Sequence, residues 1–83
     1  MTNETVAQRL VTNALSRYPH STGLELWNVI VVLCETPDDK KLLKIALPHQ
    51  DQSVRNTLAN LAKKKMVLSR PRKNSILLEW RLA

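Results

Sequence analysis

The hydrophobic period changes once along this chain. As far as Lys65, apolar residues recur at three- and four-residue spacing; beyond it they alternate with polar ones. The first spacing is the stripe of amphipathic helices and the second is the two-sided pattern of strands. A chain of 83 residues with 43% hydrophobic content supports one domain. The expected class is therefore mainly α with a C-terminal β-hairpin.

Start and stop signals divide the helical part. An N-terminal helix is expected over 3–18, with Ala7, Leu10, Val11, Ala14 and Tyr18 as its stripe, Asn3 as cap and Pro19 beyond its end. A second element is expected over 22–34. Thr22 with Glu25 three residues on is a capping box. The run "VIVVL" within it is β-branched and suits a buried strand, but the cap and the length favour a helix buried nearly all round. In "TPDD", Thr36 caps a third helix over 37–47, Pro37 takes its first position and Asp39 the reciprocal capping position. Asp38 and Asp39 read as charges at the positive end of that helix, not as a catalytic pair. A fourth helix is expected over 51–65, capped by Asp51, with Val54, Leu58, Leu61 and Ala62 turned inward. The closely joined elements 37–47 and 51–65 form a helix-turn-helix. A hairpin over 66–82 turns at Pro71, Arg72, Lys73 and Asn74. Glycine occurs once, at Gly23, so Pro, Asn, Asp and Ser must make the turns.

The charge is unevenly placed. Residues 1–50 hold five cations and five carboxylates. Residues 51–83 hold Arg55, Lys63, Lys64, Lys65, Arg70, Arg72, Lys73 and Arg81 against Asp51 and Glu79, which is the whole formal charge of +6. Solubility alone does not require that asymmetry, whereas a polyanion partner does.

The residues that carry chemistry elsewhere are sparse. His20 and His49 stand alone, and Cys34 sits in an apolar run as a buried thiol. No metal site, no cofactor and no catalytic residue is expected, and one glycine cannot build a phosphate-cradling loop. Trp27 and Trp80 lie on apolar patterns and read as core. No apolar run reaches the roughly 20 residues of a membrane span, and the N-terminus lacks a secretory pattern, so a cytoplasmic location is expected.

The order of helix, helix-turn-helix and "VRNTLANLAKKKMVLSR…ILLEWRL" resembles the winged helix-turn-helix DNA-binding domains of bacterial and phage regulators. The resemblance covers about residues 22–82. It departs from the usual pattern at Lys65 and in the tip "PRKN", where glycine is frequent. It implies a sequence-specific double-stranded DNA binder of regulatory function. Gln52, Ser53, Arg55, Asn56 and Asn60 would face the major groove, with Gln52, Arg55 and Asn56 as base readers. Lys63, Lys64, Arg70, Arg72 and Lys73 would meet phosphates, and an Arg-rich tip would suit the minor groove. The helix over 3–18 either mediates a homodimer or covers the domain's own core. The other reading is a winged helix protein-interaction module, such as a phage-type inhibitor or adaptor that binds an acidic protein surface.

Overall fold

The computed structural model describes residues 5–83. Four helices and a two-stranded antiparallel hairpin make up the described chain: α1 (Val6–Arg17), α2 (Gly23–Leu33), α3 (Pro37–Ala46), α4 (Asp51–Lys63), β1 (Val67–Pro71) and β2 (Leu78–Leu82). "VIVVL" is therefore helical. Among the described residues, no helix is long and apolar enough to cross a membrane.

Three helices begin on a threonine. Thr5 and Thr22 each form a complete capping box, Thr5 with Gln8 and Thr22 with Glu25. At α3 only half of the expected box forms: Thr36 Oγ1 accepts from the Asp39 amide at 3.1 Å, with no reciprocal bond from Asp39. Asn3, the expected cap of α1, lies outside the described residues, and Thr5 holds that role. Asp51 is not the cap of α4 but its first residue. The cap position is Gln50, at φ 55° and ψ −126°, and it makes no side-chain cap bond. Ser53 Oγ instead accepts from the His49 amide, in the turn ahead of α4, at 2.8 Å.

The core lies where α1, α2 and α4 meet the hairpin. α4 packs chiefly against α2 and then α1, while α3 rests on α1. The principal neighbour of α4 is thus α2, not the helix just before it in the chain. Val11, Ala14, Leu15, Leu26, Val54, Leu58 and Leu61 have no exposed surface, and Trp80 and Cys34 are buried with them. Burial raises the Cys34 thiol above its ordinary pKa, mainly through lost solvation. Trp27 is only partly buried, against the edge of the core. The stripe of α1 therefore covers the domain's own core.

α2 departs most from expectation. Its inner face is buried through Gly23, Leu26 and Ile30, but Leu24, Val31, Val32 and Leu33 are exposed, Val32 at 69%. A single copy of the fold covers only one side of this apolar helix.

The hairpin pairs Val67 with Leu82, Ser69 with Trp80 and Pro71 with Leu78. Val67 and Trp80 point into the core, so Leu68, Arg70, Glu79 and Arg81 face outward. The turn is longer than the expected four residues and lies further along the chain. Pro71 closes β1, the Arg72 amide donates to the Leu77 carbonyl at 2.9 Å, and Ile76 and Leu77 belong to the connecting loop. A single β-bridge to the hairpin appears without any signal in the sequence. Ser21 bridges Trp80: the His20 amide donates to the Trp80 carbonyl at 2.8 Å and the Trp80 amide to the Ser21 carbonyl at 2.9 Å. The segment between α1 and α2 is thus tied to β2 at one residue.

Candidate nucleic-acid interface

The first half of α4 and the hairpin loop share one groove of about 400 Å³. Asp51 and Arg55 line it from α4, Thr22 to Leu24 from the start of α2, and Ile76 to Leu78 with Trp80 from the hairpin. The close approach of α2 to α4 depends on Gly23. A Cβ there would lie 2.5 Å from Arg55 Cγ, so the Arg55 stem lies across the glycine. The Arg55 guanidinium stays 59% exposed and pairs loosely with Asp51 at 3.4 Å, one helical turn back.

The expected reading residues are not all on the surface. Gln52, Arg55, Asn56 and Asn60 are exposed on one face of α4. Ser53 is not: it is buried, with its Oγ bound to the His49 amide and its carbonyl accepting from Thr57 Oγ1 at 2.9 Å. The spacing explains the difference. Ser53 adjoins Val54 on the inward side, and its hydroxyl ties the turn before α4 to the helix through the His49 amide.

Two arginines of the hairpin, Arg70 and Arg72, are committed to partners within the molecule. Arg72 Nη2 lies 2.7 Å from Glu25 Oε1 and 3.2 Å from the His20 carbonyl, and its Nε lies 3.0 Å from Glu79 Oε2. Arg70 Nε takes the other oxygen of Glu79 at 3.1 Å. Glu25 Oε1 also accepts from the Thr22 amide at 2.8 Å, so one carboxylate joins the α2 cap to the hairpin. Hydrogen bonding from Arg72, foremost, and from the Thr22 amide holds the Glu25 carboxyl below its ordinary pKa. Hydrogen bonds from Arg72 and then Arg70 do the same for Glu79, and the two carboxylates raise Arg72 in turn. Arg72 is thus a clamp between α2, the His20 backbone and the hairpin.

Removing these pairs leaves a smaller set of cations. Among the described residues, Lys63, Lys64, Lys65, Lys73 and Arg81 have no carboxylate within 4 Å. Lys63 to Lys65 form the end of α4, Lys73 lies in the hairpin loop and Arg81 stands on the outer face of β2. Lys65 and Arg81 were not among the expected contacts. Their charge was legible, but their lack of a partner depends on tertiary distances.

The loop also carries apolar surface: Ile76 is 99% exposed, Leu77 50% and Leu78 43%, beside Leu24 at 55%. Among the described residues, no group of three or more His, Cys, Asp or Glu side chains could hold a metal. Comparison with protein-family models, curated proteins and solved structures gives no match.

Proposed function

We propose that this chain is a double-stranded DNA-binding protein of the winged helix-turn-helix type, with regulatory function. The observation that carries it is the exposed polar face of α4, with Gln52, Arg55, Asn56 and Asn60, on a helix whose first half shares a groove with the hairpin loop. Gln52, Arg55 and Asn56 would read base edges from the first turns of α4, and Asn60 would lie further along the same face. Lys63, Lys64, Lys65, Lys73 and Arg81 would neutralise phosphates.

A fluorescence-anisotropy titration against duplex DNA at several salt concentrations tests this reading. Each neutralised phosphate contributes about −0.9 to the slope of log affinity against log salt, so five cations give a slope of about −4.5. Engagement of all eight cations of residues 51–83 would instead give about −7. Lys73→Ala should flatten the slope by about 0.9 on every sequence, whereas Arg55→Ala should alter base preference. No binding at low salt would overturn the reading.

A second reading, a protein-interaction module, is favoured by the apolar rim of Leu24, Ile76, Leu77 and Leu78 around the groove. A partner protein with an acidic surface and one apolar anchor would fit it. Absence of DNA binding together with capture of such a partner through Ile76 would support that reading instead.

A further inference from the structure

Ile76, at 99%, is the most exposed large apolar side chain among the described residues. It contributes no packing to the fold, yet the loop that carries it is fixed. The Arg72 amide donates to the Leu77 carbonyl at 2.9 Å, the Ser75 amide to the Arg72 carbonyl at 3.1 Å and the Leu77 amide to Ser75 Oγ at 3.1 Å. Asn74 takes the left-handed conformation, at φ 61°, that the turn requires. The base of the loop is anchored in turn, because the Arg72 side chain bonds Glu25 and Glu79. Ile76 therefore stands between two hydrogen-bonded neighbours, and its β-branched side chain is stiff about its first torsion. A bare apolar side chain on a fixed loop is preorganised for a partner.

We propose that Ile76 is a wedge that enters the minor groove of duplex DNA, parts one base step and bends the duplex. The inference rests on the DNA-binding reading above and adds a deformation to it. Arg55 of α4 and Ile76 line the same groove, so a duplex read by Arg55 meets the loop on the same side of the molecule. Lys73, in the same loop, has no carboxylate within 4 Å among the described residues and is free to hold a phosphate beside the parted step. The whole formal charge of +6 lies in residues 51–83, which hold both α4 and the loop, so the surroundings of Ile76 complement a polyanion. The minor groove, about 6 Å wide, admits an aliphatic side chain, and such a side chain pushed between stacked bases kinks the duplex. A protein surface fits the same features less well. A stable protein interface buries about 800 Å² a side, whereas the loop offers one fully bare side chain with a cation nearby.

The test is energy transfer between dyes at the two ends of a duplex of about 20 base pairs, once in alternating TA sequence, whose steps part easily, and once as a stiff A-tract. The alternating sequence presents a flexible step wherever the protein sits. Wild type should bend the alternating duplex by about 20–90° and bind it more tightly than the A-tract. Ile76→Leu, which keeps an aliphatic wedge, should do the same. Ile76→Ala should still bind, with an unchanged salt slope because no charge is lost, but it should leave the duplex straight and lose the preference between the two. Far-ultraviolet circular dichroism should show both variants folded, since Ile76 packs against nothing. Binding by wild type without a bend would overturn the wedge, as would an Ile76→Ala protein that bends the duplex as before; either result leaves Ile76 to the protein partner of the second reading. No binding of either duplex at low salt would overturn the DNA-binding reading itself, and the wedge with it.

Discussion

Lys65 stands where helix termination asks for glycine, and replacing it separates backbone strain from side-chain function. α4 ends in a Schellman motif. The Lys65 amide donates to the Ala62 carbonyl at 3.0 Å and the Met66 amide to the Leu61 carbonyl at 3.0 Å. The geometry requires the residue between to be left-handed, and Lys65 has φ 59°. An L-residue with a Cβ loses about 1–2 kcal/mol in that conformation, which glycine avoids. Glycine in turn gives back about 0.4–1 kcal/mol through the greater freedom of the unfolded chain. Lys65→Gly should therefore stabilise the domain by about 0.5–1 kcal/mol. For a chain of this size that raises Tm by roughly 2–8 °C. Lys65→Ala keeps the strain and removes the charge, so it should lie within about 0.5 kcal/mol of wild type. The assay is urea and thermal unfolding of the three proteins side by side. If Lys65→Gly is no more stable than Lys65→Ala, the strain at this position is not real. Under the proposed function both variants also lose one phosphate contact, so the salt slope should flatten by about 0.9 in each while stability rises in only one. A cation kept at a strained position, at a cost in stability, is what an interface residue would look like.

The remaining predictions concern the clamp, the helix approach and the core. The depressed carboxyls of Glu25 and Glu79 contribute stability that is fully present above their ordinary value of 4.5 and is lost as pH falls through their lower folded values. Arg72→Gln should shrink that acid-side loss in the pH dependence of the urea midpoint, leaving the part due to the Thr22 amide and Arg70; an unchanged profile would contradict the clamp. Gly23→Ala should destabilise by up to about 2 kcal/mol through collision with the Arg55 stem, and adding Arg55→Ala should recover most of it, as a double-mutant cycle would show. Thr22→Ala should cost about 1 kcal/mol in thermal unfolding, since it opens the capping box of α2. Leu58→Ala, with no exposed surface to begin with, should cost about 2–5 kcal/mol, whereas Ile76→Ser at the loop tip should leave the unfolding midpoint where it is.

Local signals along the chain determined the elements. Thr22 with Glu25, and Thr36 with Pro37, mark helix starts because a side-chain oxygen and a fixed φ act within three residues. The inward stripe of α4 and the switch to alternation after Lys65 set its buried face and the hairpin for the same reason. The concentration of positive charge after residue 50 is likewise a property of the sequence alone. What the charges do is not. Arg72 and Lys73 are neighbours in the chain, yet one is held by Glu25, 47 residues away, and the other has no carboxylate partner. No local rule separates them, because the difference lies in a distance between α2 and the hairpin. Ser53 reads as a polar residue on a polar face, and only the folded turn shows its hydroxyl buried and accepting from the His49 amide. The single bridge at Ser21 is too short to have a period, and it forms where Trp80 presents its backbone. The bare face of α2 belongs to the same class. Its composition dictates burial on every side, and only the packing of the other elements decides which side a single chain leaves open.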